Sequence, residues 1–133
     1  MKNKLTPEQY IKQAIIDRAK DFFEEIKITE DITTPEGIEA AYERLDNEDF
    51  LQDARDEIRQ SGEETDIPCG YSRHYESNAV AKKMDDGTWV GWDYYYGGGK
   101  HGEPSAMPWI DDAYFLECKE EEKVVVVRTF KKK

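Results

Sequence analysis

The spacing of apolar residues changes near Tyr71, and this change constrains the fold more than any other feature of the sequence. Before Tyr71, apolar side chains recur every three or four residues, which places them along one face of a helix. After it, they tend to alternate with polar residues, as in a strand. Helices followed by strands predict an α+β fold, with about three N-terminal helices packed on a four-stranded antiparallel sheet made of two hairpins.

The first predicted helix runs from about Pro7 to Ile26 and has a well-defined start. Thr6 is placed to cap it, Pro7 suits the first helical position, and Gln9 completes a Thr-x-x-Gln capping box. The apolar stripe of this helix is expected to pack in the core. It consists of Ile11, Ile15, Ala19, Phe22, Phe23 and Ile26.

Two shorter helices are predicted downstream. Thr34 followed by Pro35 repeats the cap-then-proline pattern and marks the start of the second helix. Asn47 is predicted to cap the third helix, and Gly62 is predicted to end it in the left-handed conformation. Both helices have narrow apolar faces, so their acidic residues are expected to face outward.

Four strands in two hairpins are predicted in the second half of the chain. The first hairpin joins Tyr71–Met84 to Thr88–Tyr96 across Asp85-Asp86-Gly87, because Asp-Gly favours tight hairpin turns. The second joins Ala113–Lys119 to Lys123–Phe130, a segment whose run of four valines is typical of a buried strand.

The composition is that of a folded but polar chain. Its 133 residues include three Trp, eight Tyr and five Phe, whereas disordered chains are poor in aromatic residues. Charged residues make up 37% of the chain, which favours high solubility. We expect one domain over residues 1–133, with residues 1–66 helical, residues 30–66 acidic and residues 67–133 forming an aromatic sheet.

A cytoplasmic location is expected. The sequence has no apolar run of about 18 residues, and its first ten residues lack the apolar core of a secretion signal. Cys69 and Cys118 are the only cysteines, and their spacing is not that of a metal or redox motif. In a chain without an export signal, two free thiols are expected rather than a disulfide.

The net charge of −11 is concentrated in one part of the sequence. Residues 30–66 contain fourteen acidic and three basic residues, a net charge of −11. Residues 1–29 and 67–133 have net charges of +1 and −1. Direct binding of this stretch to a nucleic-acid backbone is disfavoured, because phosphate contacts need Lys and Arg.

The acidic helices allow two interpretations. An acidic helix face can simply be solvated, which keeps a protein soluble. Alternatively, closely spaced carboxylates can imitate nucleic-acid phosphates and occupy the basic surface of a partner. The predicted partner-binding residues are Glu36, Glu39, Glu43, Glu48, Asp49, Asp53, Asp56 and Glu57, with Tyr96 and Trp109 as aromatic contacts.

The glycine run at residues 97–99 is the candidate ligand site. It fits neither a Walker loop nor a dinucleotide-binding motif, but its backbone amides could converge on an anion. The same run could equally be a mobile connector. The predicted ligand-binding residues are Arg73, Tyr95, Gly97, Gly98, Gly99, Lys100, His101 and Glu103.

The evidence for catalysis is limited to the two histidines. His74, Glu76 and His101 could form an acid–base group, and a pocket for such chemistry would also include Asp93. The sequence contains no HExxH motif and no GxSxG motif, so no metal, cofactor or nucleophile is predicted. Whether the protein is an enzyme stays open, with the balance against it.

Three hypotheses follow for the function. The first is a non-enzymatic interaction protein that binds a basic protein surface, with no direct contact to nucleic acid or membrane. Its small size, acidic helices and lack of a catalytic motif resemble the profile of phage or mobile-element accessory proteins that block host nucleic-acid machinery. That resemblance implies an inhibitor or a nucleic-acid-mimicking decoy. The alternatives are a small-ligand-binding protein or hydrolase, and a structural or immunity-type module without a separable site.

Overall fold

The computed structural model describes residues 5–68, 76–96, 109–120 and 126–133. Within these ranges, three helices precede a four-stranded antiparallel sheet, and the first helix contacts the sheet, which confirms the α+β class. The sheet has the strand order β1-β2-β3-β4. The elements are α1 Pro7–Phe22, α2 Pro35–Asn47, α3 Gln52–Arg59, β1 Glu63–Glu64, β2 Glu76–Lys83, β3 Trp89–Tyr96 and β4 Tyr114–Leu116.

Helix α1 starts as its sequence predicts. The Thr6 hydroxyl accepts a hydrogen bond from the Gln9 amide at 3.2 Å, and the Gln9 side chain accepts one from the Thr6 amide at 3.0 Å. The helix ends at Phe22 rather than near Ile26. Phe23 has an extended backbone, and its ring packs against Phe50 at a centroid distance of 5.1 Å. The extended backbone of Phe23 takes the chain out of the helix at this point.

The start of α2 agrees with the sequence, whereas the start of α3 does not. Thr34 caps α2, and its hydroxyl accepts from the Gly37 amide at 3.1 Å. Asn47 is the last residue of α2 and does not cap α3. The chain reverses at Asp49, whose φ is 62°, a conformation that Asp tolerates better than most residues. Leu51 precedes α3 without a side-chain cap.

Gly62 has a packing role instead of the predicted left-handed conformation. A Cβ atom at this position would lie 2.7 Å from Cγ2 of Val80 and 3.1 Å from Cζ2 of Trp92. Such distances are too short for a methyl group, so glycine is required where the chain passes over the sheet. Glycine is needed at position 62 because the backbone lies close to Val80 and Trp92, and not because of a positive φ.

The first predicted hairpin is present, and it is tied to α1. Strands β2 and β3 pair antiparallel across a turn in which Gly87 has a φ of 92°. The Met84 amide donates to the Thr88 carbonyl at 2.8 Å and closes the turn. The Tyr10 hydroxyl donates to Asp86 at 2.6 Å, which joins α1 to a turn 76 residues away in sequence.

The fourth strand differs from the prediction. Residues 126–130 of the expected strand Lys123–Phe130 lie outside the sheet, and residues 121–125 are outside the described ranges. The fourth position in the sheet is taken by β1, which pairs with β2. Thr65 extends this pairing, because its amide and its hydroxyl both donate to the Ala79 carbonyl, at 3.0 and 2.8 Å. Strand β4 pairs with β3 alone among the described strands.

Trp92 lies at the centre of the core between the helices and the sheet. Its side chain is fully buried and packs against Trp109 at a centroid distance of 5.4 Å. Its indole N–H donates to the Arg59 carbonyl at 3.1 Å. The Arg59 guanidinium donates to the Tyr95 carbonyl at 2.9 Å and lies over the ring of Tyr94. The end of α3 is therefore fastened to β3 by both its backbone and its side chain.

Candidate functional site

Most of the predicted ligand site falls outside the described residues. This holds for Arg73, His74, Gly97–Gly99 and the segment from Lys100 to Glu103, which includes His101, so the ligand and acid–base predictions stay predictions. Tyr95 lies in β3 and is half-buried. Glu76 begins β2, where its backbone pairs with Tyr96. No constellation of catalytic side chains can be assembled from these residues alone.

The two predicted aromatic contacts lie in different environments. Trp109 is 3% exposed and packs against Trp92, so its ring belongs to the core rather than to a binding surface. Tyr96 is half-buried, and its ring stacks on Tyr94 at a centroid distance of 5.7 Å. We therefore leave Trp109 out of the candidate surface.

The predicted carboxylates of α2, α3 and the loop between them face outward. Helix α2 buries Ile38, Ala41 and Leu45, and α3 buries Ala54 and Ile58. This spacing leaves the intervening positions to solvent. We call the eight predicted carboxylates the acidic surface; seven are exposed, and Asp56 is half-buried. They are Glu36, Glu39, Glu43, Glu48, Asp49, Asp53, Asp56 and Glu57.

Cations of α1 compensate part of the acidic surface. Lys12 forms an ion pair with Glu39, with 2.9 Å between Nζ and Oε2. Arg18 forms one with Glu57, with 2.7 Å between Nε and Oε1. Because α1 packs against both α2 and α3, these pairs cross helix–helix contacts. The negative charge that can attract a partner is therefore smaller than the sequence count suggests.

Four members of the acidic surface have no such compensation. Within the described residues, no Lys, Arg or His nitrogen lies within 4 Å of Glu36, Glu43, Asp49 or Asp53. Glu36 and Asp53 lie in the first turns of α2 and α3, where the helix dipole favours a carboxylate. We call these four residues the uncompensated carboxylates.

Two arginines inside the acidic stretch hold the loops and helices together. Arg44 binds Glu30 through two hydrogen bonds of 2.8 and 2.9 Å, and it also donates to the Lys27 carbonyl. Arg55 donates to Asp46 at 2.6 Å and to the Tyr42 hydroxyl at 2.9 Å. Both arginines are therefore used for structure, and neither is free to shield the uncompensated carboxylates.

The Arg44–Glu30 pair predicts a specific pH dependence of stability. Its hydrogen bonds lower the pKa of Glu30 from 4.5 to about 2. A lowered pKa in the folded state stabilises the protein above the unfolded value, and the contribution is lost as the pH falls from about 4.5 to about 2. We expect Glu30→Gln to cost about 1 kcal/mol at pH 7, discounted for partial solvent screening, and close to nothing near pH 2. Urea unfolding across this pH range measures the difference.

Glu25→Gln is the matched control, because Glu25 is exposed and forms no ion pair with a described residue. The free energy of unfolding of this variant should differ little from that of the unmodified protein, and the difference should not change across the same pH range. An equal cost for Glu30→Gln at pH 7 and at pH 2 would contradict the assignment, because the ion pair could not then be the cause.

Neither a metal centre nor a membrane-spanning element is found in the described part of the chain. No group of three or more His, Cys, Asp and Glu residues in these ranges could hold a metal ion. No helix in the same ranges is long and apolar enough to cross a membrane. Comparison with protein-family models, curated proteins and solved structures finds no match for this chain.

Proposed function

We propose that the protein is a non-enzymatic interaction protein whose acidic surface binds a basic protein surface. The uncompensated carboxylates carry this proposal, because four exposed negative charges on α2, on α3 and in the loop between them have no described cation within ion-pair distance. Cations supplied by a partner would relieve the repulsion among these charges. By contrast, Glu39 and Glu57 already have partners within the fold.

We extend the proposal to a nucleic-acid-mimicking inhibitor, of the type used by phages and mobile elements. Helix α2 carries the carboxylates of Glu36, Glu39 and Glu43. Glu36 and Glu43 are seven residues apart, which is about 10 Å along the helix axis. Counting Glu39, which also pairs with Lys12, the charges are about 5 Å apart along the axis; the uncompensated pair Glu36 and Glu43 is about 10 Å apart, compared with ~3.4 Å between charges on one DNA strand. This spacing is sparser than that of DNA but close enough to engage several cations of a nucleic-acid-binding groove.

A cytoplasmic location is part of the proposal. Cys118 is an exposed free thiol, which is compatible with a reducing compartment. In such a compartment, the partner would be a cytoplasmic nucleic-acid-binding protein with a basic groove.

A pair of charge-matched variants tests the proposal. The test variant removes the uncompensated carboxylates through Glu36→Gln, Glu43→Gln, Asp49→Asn and Asp53→Asn. The unmodified protein is immobilised, and proteins that it retains from a native lysate at about 50 mM salt but releases at about 500 mM are identified and purified. We expect the test variant to bind such a partner about 30-fold more weakly, at about 0.5 kcal/mol for each lost exposed pair.

The control variant carries Glu24→Gln, Glu25→Gln, Asp111→Asn and Asp112→Asn, four exposed carboxylates outside the acidic surface. It has the same net charge as the test variant, so it separates a local surface from overall charge. Equal weakening by both variants, or a complex that is unchanged at about 500 mM salt, would rule out the proposed surface. Duplex DNA should displace the protein from its partner; simultaneous binding of both would leave the interaction standing but reject the mimicry.

A further inference from the structure

A groove of about 270 Å³ lies on the side of the sheet opposite the helices. Side chains alternate along a strand, so Trp89 faces away from Val90 and Trp92, which belong to the core. Ala81 is paired with Gly91, which is two residues from Trp89 on β3. The side chain of Ala81 therefore lies on the same side of the sheet as Trp89. The groove could hold about nine water molecules at ~30 Å³ each, which is enough for a few aliphatic side chains.

The lining of the groove combines an apolar floor with an acidic rim. Ile67, Ala81, Trp89 and Leu116 provide the apolar part, and the side chain of Ile67 is 39% exposed. Glu63 and Glu117 provide two carboxylates, against one cation from Lys119, whereas the Glu64 carboxylate accepts from the Asn78 side chain on the helix side of the sheet. A segment that fills this groove should therefore carry both apolar and basic residues.

The chain itself contains such a segment at residues 126–133, which we call the tail segment. Val126, Val127 and Phe130 are 73%, 84% and 85% exposed, which is unusual for three neighbouring large apolar side chains. Arg128, Lys131, Lys132 and Lys133 add four positive charges. All eight residues are exposed, so the tail segment does not occupy the groove of its own chain.

We propose that the tail segment of one copy docks into the groove of a second copy. The valines and Phe130 would cover the floor formed by Ile67, Trp89 and Leu116, and the basic residues would face the acidic rim. Reciprocal exchange would give a symmetric dimer in which both grooves are filled and both tail segments are covered. This contact does not involve the acidic surface, so it is independent of the proposed function.

The association state of the unmodified chain is the first test. A groove of this size and an eight-residue segment make a small interface, so we expect a weak dimer with a Kd of about 10 µM. In light scattering, the mass should rise with concentration from 15.5 kDa towards twice that value. Val127→Asp with Phe130→Asp should abolish this rise, because both side chains would lose their apolar contacts.

Gln52→Glu with Gln60→Glu is the matched control, since it adds the same charge at two exposed positions outside the groove and the tail segment. This variant should dimerise like the unmodified chain. A chain that stays monomeric up to about 1 mM, or a dimer that survives the tail substitutions, would overturn the proposal. Equal loss of the dimer in the control variant would also overturn the proposal, since general charge repulsion would then explain the loss.

Disulfide trapping identifies the occupant of the groove, because Cys118 lines it. Both trapping chains carry Cys69→Ser. One retains Cys118, and the other carries Cys118→Ser and Val127→Cys. Mixing them under mild oxidation should give the mixed disulfide dimer at least about tenfold faster than either chain pairs with itself.

A single chain with both Cys118 and Val127→Cys completes this test. Docking between copies predicts that it forms linked dimers at about 50 µM, above the expected Kd. If this chain forms only an internal disulfide and the mixed dimer does not appear, the groove belongs to the chain's own tail segment and the proposal is wrong.

Discussion

Replacement of Trp92 by alanine is expected to lower the free energy of unfolding by about 4 kcal/mol. The side chain is fully buried, packs against Trp109 and donates its indole N–H to the Arg59 carbonyl at 3.1 Å. Alanine would leave a large cavity between the helices and the sheet, and it would remove the hydrogen bond that fastens α3. Because a domain of this size has a total stability of about 5–15 kcal/mol, much of the margin would be lost. Urea unfolding followed by circular dichroism measures the change.

One further substitution at Trp92 and a control at Trp89 separate the contribution of the indole N–H from that of the buried ring. Trp92→Phe keeps an aromatic ring but lacks the N–H, so a smaller cost of about 2 kcal/mol is expected. Trp89→Ala is the matched control, because Trp89 is half-buried on the other side of the same strand; we expect it to cost about 1 kcal/mol. Similar costs for Trp92→Ala and Trp89→Ala would contradict the central position of Trp92.

Gly37→Ala is expected to lower the free energy of unfolding by about 3 kcal/mol, although alanine is the better helix former. A Cβ atom at residue 37 would overlap the backbone carbonyl oxygen of Asp31 and lie 2.9 Å from Oγ1 of Thr34. That carbonyl cannot easily move, because it accepts hydrogen bonds from the amide and the hydroxyl of Thr34, at 3.2 and 2.9 Å. The steric cost therefore exceeds the gain of about 1 kcal/mol in helix propensity. The same unfolding measurement gives the change.

Ala40→Gly provides the control within the same helix. Ala40 is exposed on α2, so this substitution changes helix propensity without a steric term. It should cost about 1 kcal/mol. If Gly37→Ala proves stabilising, then the close contact with Asp31 does not constrain α2.

Local features of the fold were predictable because their causes lie within a few residues. The capping box of Thr6 and Gln9 and the cap at Thr34 depend on residues three positions apart. The turn at Gly87 depends on one residue that tolerates a positive φ. Helices followed by an antiparallel sheet were thus predictable as a class, since each element carries its own pattern.

The β2–β3 hairpin was predictable, but the strand next to β2 at the edge of the sheet was not, because its place depends on distant parts of the chain. Strand β1 has only two residues, Glu63 and Glu64, and shows no alternation that could be read from sequence. Its place is set by pairing with β2 and by the bonds of Thr65 to Ala79. The valine-rich segment has strong strand propensity, yet residues 126–130 stay outside the sheet, since β propensity depends on context.

The candidate site was predictable in outline but not in its electrostatics. The apolar faces of α2 and α3 required their acidic residues to face outward, and they do. Ion pairs between helices, such as Lys12 with Glu39 and Arg18 with Glu57, depend on how α1 packs and cannot be read from a count of charges. The sequence predicts a surface position for Trp109, since a place next to a glycine-rich loop does not show that its ring reaches Trp92.

The hydrogen bond from Tyr10 to Asp86 has a consequence for the newly made chain on the ribosome. The two residues are 76 positions apart, and synthesis at about 5–20 residues per second separates their emergence by about 4–15 s. Strand β3, which carries the core residue Trp92, emerges later still. During this interval, the apolar stripe of α1 can be covered by α2 and α3 but not by the sheet. We therefore expect the nascent chain to pass through a helical stage in which part of its future core faces water, and at that stage a chaperone could bind it.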